Sequence, residues 1–379
     1  MKAGFSPFNQ KINSIGFSQN LYNFKLKKIA YIEIDTHAEI AADFMDLMRD
    51  SKEFFVDYYF SERILKQVGN HHQNICLSDS STILEQLKNQ KYDLVILGTV
   101  HRYFGTFLEI TKRFSTSVIV HNINFSTISK VQLFKNIFKE DFAYRLKLWL
   151  KESLFSAPKV YQNAKNCFVL DSDISSQKLK FLPLFYTKNI SEKTKDIFTV
   201  VIPGGVSQKR RDYKKVCKEI LALDSEFKND DGFQSRSFEF VFLGKAKGEE
   251  LQLLSNLEKS LKNISIKYFK ERLSAEDFDD WMMKADVLWC PIQSETEFFS
   301  QKEIYGKTKM TGNLADAIKY GKVAIFPSNY SSEFEFIVNE KPDFKTQLKE
   351  LNSFSFDFQK DFNKDKIQQS LEKVLKSVI

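Results

Sequence analysis

The chain has 379 residues, enough for two domains of ordinary size, and its 42% apolar and 28% charged residues mark a globular rather than a disordered or fibrous protein. A net charge of +7 at pH 7 accommodates an anionic substrate or a membrane surface without demanding nucleic acid, and no run approaches the roughly 20 apolar residues that span a bilayer. The 37 phenylalanines supply apolar bulk for two cores.

Residues 1–23 mix Phe with Lys, Asn and Ser and lack the continuous apolar stretch of a signal peptide, so 1–25 reads as an appended arm. From there, apolar runs alternate with helical patterns, the mark of parallel α/β architecture. Strands are expected at 29–34, 54–60, 92–97, 117–120, 166–170 and 181–185, with helices over 37–48 and around 107–114. Segment 130–151 puts Phe134, Ile137, Phe138, Phe142, Leu146, Trp149 and Leu150 on one helical stripe, with Lys135, Lys139, Arg145 and Lys147 elsewhere. Core packing is the first expectation for that stripe; a face lying on anionic lipid is the second.

A polar connector at 188–195 separates this half from a second one. Strands are expected there at 198–202, 238–243, 264–268, 287–289 and 323–326. The expected helices are 211–223, 251–261, 275–284 and 312–320, and a last one over 364–378 closes the chain. Two α/β halves in tandem imply two lobes with a ligand cleft between them. The four cysteines are scattered without zinc-ligand spacing. Cys167 and Cys290 lie in strand-like runs as buried reduced thiols, which fits the cytoplasm.

The densest chemistry runs from Glu303 through Gly306-Lys307-Thr308-Lys309-Met310-Thr311-Gly312-Asn313 to Asp316 and Gly321. The two glycines allow a backbone to approach a ligand, and a helix starting near Gly312-Asn313 turns its first amides toward a phosphate. Lys307 and Lys309 add positive charge, Thr308 and Thr311 hydroxyls. Asp316, in the first turn, can accept hydrogen bonds from ribose. The plain alternative is a loop capped by Asn313. A Walker A reading of Gly306-Lys307-Thr308 fails because Gln301 stands where that motif needs glycine. Upstream, the strand at 198–202 enters Pro203-Gly204-Gly205, with Lys209, Arg210 and Arg211 after it; Phe242-Leu243-Gly244 ends the next strand.

In this order the motifs resemble the donor domain of two-lobed (GT-B) glycosyltransferases, especially the retaining family 4 type. Glu303-Ile304-Tyr305-Gly306 resembles the family's Glu-Gly-Phe-Gly stretch, and Asp316-Ala317-Ile318-Lys319-Tyr320-Gly321 its Glu-Ala-Met-Ala-x-Gly helix. Two departures stand out. Twelve residues separate Glu303 from Asp316, more than separate the family's two acids, and Gly205 takes the position of its usual Arg.

The resemblance implies two Rossmann-like lobes facing across a cleft: an acceptor domain at 26–190, a nucleotide-sugar donor domain at 191–340, and a helical tail at 341–379 packing back on the first lobe. It assigns the donor diphosphate to Lys209 and Arg210, with Arg211 a third candidate. The donor cradle comprises Gly204, Gly205, Gly244, Glu303, Gly306, Lys307, Thr308, Thr311, Gly312 and Asn313, and Asp316 takes the ribose. His121, directly after a strand, is expected on the transferred sugar. His37, His101 and Asn122, also at strand ends, are expected on the acceptor side. No metal or cofactor is expected. Asp171-Ser172-Asp173, which matches the metal motif of another glycosyltransferase class, reads instead as a turn or cap.

The expected function is transfer from a nucleotide sugar to a carbohydrate or lipid-linked acceptor in cell-surface polysaccharide biosynthesis. The enzyme would be cytoplasmic, with peripheral membrane contact at the inner face. A non-catalytic binding module of the same fold is the alternative, and a sugar-nucleotide epimerase ranks after it.

Overall fold

The computed structural model describes residues 26–69, 74–188, 197–226 and 237–379. The arm at 1–25 and most of the connector at 188–195 lie outside the described residues.

The first half forms a seven-stranded parallel sheet of β1 (Lys27–Glu33), β2 (Phe54–Phe60), β3 (Ile75–Leu77), β4 (Leu94–Leu97), β5 (Thr116–Ile119), β6 (Asn166–Val169) and β7 (Leu179–Phe181), in the order β3-β2-β1-β4-β5-β6-β7. The strand expected at 181–185 ends at Phe181, and residues 182–188 run on without regular structure. The second half contributes β8 (Ile197–Pro203), β9 (Ser237–Lys245), β10 (Ser265–Phe269), β11 (Val287–Trp289), β12 (Glu295–Phe298), β13 (Gln301–Ile304), β14 (Val323–Phe326) and β15 (Ile337–Asn339). Six of these make a parallel sheet in the order β10-β9-β8-β11-β14-β15, while β12 and β13 pair with each other as an antiparallel hairpin.

Central strands such as β4 and β14 are buried along their whole length because helices cover both faces of each sheet, which is why they read as unbroken apolar runs rather than alternating ones. In each sheet the strand order reverses once: between β1 and β4 in the first, between β8 and β11 in the second. A crevice opens at the carboxyl ends of the strands at such a reversal, and ligands bind there in open α/β sheets.

The lobes share one core. Apolar residues of the first sheet and its helix Ala38–Met48 are continuous with Leu314 and Ile318 of the second lobe and with Leu371 and Leu375 of the C-terminal helix Lys364–Lys376. That last helix lies against the first lobe: Ser51 Oγ donates to Glu372 at 2.6 Å, and Lys364 and Lys376 pair with Asp46 and Glu53. Lys319 and Asp43 form a further bridge between lobes at 2.6 Å, both largely shielded from solvent.

Segment 130–151 departs from expectation. It is two helices, Lys130–Ile137 and Phe142–Glu152, broken where Asp141 adopts a left-handed conformation. Leu133, Ile137 and Leu148 enter the core, but Phe134, Phe138, Phe142 and Leu150 are exposed, so core packing accounts for only part of the stripe. Of the two thiols expected to be buried, Cys290 is and Cys167 is half-buried.

Candidate active site

At the reversal in the second sheet, β8 ends in Pro203-Gly204-Gly205. Gly204 has φ +97°, and a Cβ there would stand 2.3 Å from Arg211 Nη2, so only glycine leaves room for the guanidinium. A Cβ on Gly244 would meet the Gly204 carbonyl at 2.3 Å, so the ends of β8 and β9 also close on each other through missing side chains. Arg211 Nη2 donates to Asn313 Oδ1 at 3.0 Å, and Asn313 Nδ2 donates to Asp316 Oδ2 at 3.2 Å. Arg211 Nε is buried without a hydrogen-bond partner.

Thr311 caps the helix Gly312–Tyr320 by accepting from the Asn313 amide. Gly205 and Gly312 are exposed, and a side chain on either would meet open space. The helix N-terminus, the β8 turn and Arg211 therefore border one gap with a positive electrostatic character. Burial pushes the Asp316 carboxyl up to about 6, against the pull of Lys319, Asn313 and Arg211.

Lys209 and Arg210, expected at this point, are exposed instead. Lys209 has an 84% accessible side chain and, among the described residues, approaches only Glu140 of the other lobe, at 4.0 Å. They sit on the turn that leads into Arg211, and the chain enters the site one residue later because Arg211 forms a bridge to Ile292 beside β11.

Glu303, Gly306 and Thr308, expected in the donor cradle, make their contacts with the first lobe and with Tyr330. The β12–β13 hairpin crosses to the first lobe and inserts Phe298 and Phe299 against its core. Glu303, fully buried, accepts the amides of Phe125 at 2.9 Å and Asn124 at 3.3 Å, at the start of the short helix Ile123–Ser126. The carboxylate thus satisfies helix amides of the opposite lobe. Thr308 accepts from Ile304 N through its hydroxyl and from Ile123 N through its carbonyl. Gly306 has φ +75° and packs on Tyr330, where a Cβ would come within 2.9 Å of the ring. Lys307 is exposed beside a separate cavity of about 240 Å³ lined by Tyr305, Tyr330 and Ser294.

At the reversal in the first sheet, the expected histidines meet. His37 follows β1, His101 follows β4 and His121 follows β5; the His37 and His121 rings stack at 4.0 Å, and His101 lies 5.8 Å from each. Buried Glu33 organises the loop carrying His37 by accepting the Asp35 and Thr36 amides and the Thr99 hydroxyl.

The tautomers follow from the partners. His121 Nε2 donates to the Gly98 carbonyl at 2.8 Å, which leaves Nδ1 as an acceptor. Lys309 Nζ donates to Asn122 Oδ1 at 2.5 Å, so Asn122 presents Nδ2 to His101 Nε2 at 3.0 Å and the His101 proton sits on Nδ1. Burial, reinforced by His37, holds His101 and His121 well below the ordinary imidazole range, so both are neutral at pH 7. Lys309 is likewise lowered, by burial first and by the charge of Arg210. A cavity of about 340 Å³ adjoins His101, walled by Asp35, Arg63, Arg102, Tyr144 and Phe298.

Asp171 and Asp173 act as structural acids. Asp171 caps the turn Ser172–Ile174 through the Asp173 amide, and Asp173 accepts from Ser332 and Glu333 of the other lobe. Asp171 Oδ2 is buried with no partner, and burial raises the carboxyl to about 6. The folded chain therefore holds this proton more tightly than the unfolded one, and stability falls as pH rises from about 4 to about 6. Asp171→Asn is expected to stabilise the protein by about 1 kcal/mol at neutral pH, after allowing for its unpaired amide, and to lose that advantage near pH 4. Urea unfolding at the two pH values measures this; equal stability of the two proteins at neutral pH refutes it.

No family model matches the chain, and no curated protein matches it. Solved structures do. HepE of Anabaena in complex with UDP aligns with TM-score 0.56 and 10% identity, covering 93% of this chain and 100% of that one. A glycosyltransferase from Rickettsia africae aligns at 0.54 with 9% identity, over 94% of this chain and 99% of its own. The UDP-GlcNAc 2-epimerase of Neisseria meningitidis, bound to UDP-GlcNAc, aligns at 0.51 with 11% identity, over 93% and 99%. The chain has the GT-B fold. In this GT-B arrangement the Arg211 gap and the histidine cluster occupy the carboxyl-end crevices of the two lobes, and the carboxylate of Glu39, bonded to His37, is close enough to Asp316 to help raise its pKa.

Proposed function

We propose that the protein transfers a sugar from a nucleoside-diphosphate donor to a carbohydrate or lipid-linked acceptor. One observation carries this reading: the Arg211 guanidinium, held by Asn313, stands beside a helix N-terminus and a side-chain-free turn, across the cleft from a neutral histidine with a free acceptor nitrogen. A leaving diphosphate gains negative charge in the transition state, and fixed cations and amides stabilise it without reorganising. In this reading Arg211 and the Gly312 amide take the diphosphate, Asp316 the ribose, and His121 Nδ1 a hydroxyl of the transferred sugar. Uridine donors are the first to test, because two of the aligned structures hold UDP or a UDP-sugar. Retention of configuration, a role in cell-surface polysaccharide assembly and a cytoplasmic site of action rest on the resemblance to family 4.

The test is release of nucleoside diphosphate from a panel of nucleotide sugars. Asp316→Ala is expected to weaken donor binding about tenfold, the loss of one or two hydrogen bonds to a charged acceptor; unchanged affinity removes Asp316 from the donor site. Nucleotide binding without turnover of any donor would identify a binding module. Isomerised nucleotide sugar without diphosphate release would identify an epimerase, the second reading, for which His37 paired with Glu39 offers acid and base groups.

A further inference from the structure

The helices Lys130–Ile137 and Phe142–Glu152 carry an apolar surface that the other described residues leave uncovered. Val131 is 66% exposed, Phe138 58% and Leu150 69%, and Phe134, Phe142 and Tyr144 are also open. The rings are continuous: Phe142 stacks on Phe138 at 5.7 Å, Phe138 meets Phe134 at 5.2 Å, and Phe134 meets Trp149 at 6.0 Å. Exposed apolar residues scattered singly need no explanation; a contiguous aromatic patch marks a contact surface.

Five exposed lysines belong to the same two helices and the turn between them: Lys130, Lys135, Lys139, Lys147 and Lys151. None of them pairs with a carboxylate among the described residues. The patch is also rigid from beneath. Arg145 donates to the Asn136 carbonyl and to Ser300 Oγ, and Asn136 donates to the Phe299 carbonyl, which ties both helices to the hairpin.

We propose that this face seats the protein on an anionic bilayer. Phe134, Phe138, Phe142 and Leu150 enter the boundary between headgroups and acyl chains, while the lysines meet anionic headgroups. Charge decides between occupants. A second copy docking through the same face would bring five unpaired lysines against five, whereas an anionic lipid surface complements them. The seating has a consequence that rests on the transferase reading. Tyr144, Arg145 and Leu148 of the second helix also wall the His101 cavity, which carries Arg63, Arg102 paired with Glu152, and the carboxylates of Asp35 and Asp141. Its mouth then lies at the lipid surface, and a lipid-borne acceptor reaches the histidines without leaving the membrane.

Co-sedimentation of the full chain with vesicles tests the seating without any donor. Binding is expected to vesicles of phosphatidylcholine with phosphatidylglycerol, and to fall about tenfold or more at high salt or on phosphatidylcholine alone. The double variant F138S/L150S is expected to lose about tenfold in vesicle affinity with an unchanged melting temperature, because both side chains are exposed. K135E/K139E is expected to do the same through charge. Absence of binding to anionic vesicles at low salt, or equal binding by wild type and both variants, overturns the proposal. So does self-association of the wild type that F138S/L150S abolishes without any vesicle binding. Diphosphate release toward a soluble acceptor is measured without vesicles, so failure of the transferase reading shows separately.

Discussion

Arg211→Ala is expected to lower kcat/KM for donor turnover by about 10²–10³-fold, the loss seen when one preorganised charge-stabilising group is removed from a transition state. The guanidinium is held by Asn313 on one side and stands over Gly204 on the other, with Nε buried and unpaired. Arg211→Lys is expected to recover only part of the rate, because an ammonium cannot keep the Asn313 contact and offer a second N–H in a fixed plane. Lys209→Ala is expected to stay near wild type, since its side chain is 84% exposed and its ion pair with Glu140 is long and solvated. Steady-state diphosphate release, with melting temperatures to confirm folding, reads all three. A larger loss in Lys209→Ala than in Arg211→Ala would return the diphosphate to the basic turn.

Glu303→Ala is expected to destabilise the protein by about 2–4 kcal/mol, because it strands the Asn124 and Phe125 amides in a buried place and leaves a void between the lobes. Glu303→Gln keeps an acceptor oxygen and is expected to lose less than half as much. Denaturant unfolding measures the stability, and calorimetry with nucleoside diphosphate separates the two roles of this acid. A staple between lobes predicts donor affinity within about twofold of wild type in Glu303→Gln; a donor ligand predicts a loss of tenfold or more. The second outcome would restore the role that the resemblance assigns to Glu303.

The parallel strands were legible because burial on both faces leaves unbroken apolar runs, and β11 and β14 fall where those runs predict. The helix Gly312–Tyr320 falls at the expected bounds, but its cap is Thr311 rather than Asn313. The β12–β13 hairpin was not legible. Its turn places Phe299 and Ser300 at φ 54° and 51°, where hairpins ordinarily carry Asn or Gly, so no local signal announces it. Contacts from the other lobe hold that turn: Arg145 lies over the Phe299 ring at 4.8 Å, and Asn136 binds its carbonyl. Residues 305–311 connect this hairpin to the helix Gly312–Tyr320.

The same division runs through the opening basic turn and the histidines. Three strand ends each carrying His could be read in order along the chain, and a parallel sheet that reverses between β1 and β4 brings such ends together. Lattice-like regularities of this kind follow from local pattern and from the handedness of strand–helix–strand units. Which of Lys209, Arg210 and Arg211 enters the cleft, and whether Glu303 faces a ligand or the opposite lobe, depend on contacts between residues more than 75 positions apart: Arg211 with Ile292 and Asn313, Glu303 with Phe125. Local pattern carries no information about such pairs. Packing does, because a buried carboxylate or guanidinium settles only where its hydrogen-bonding partners are already in place.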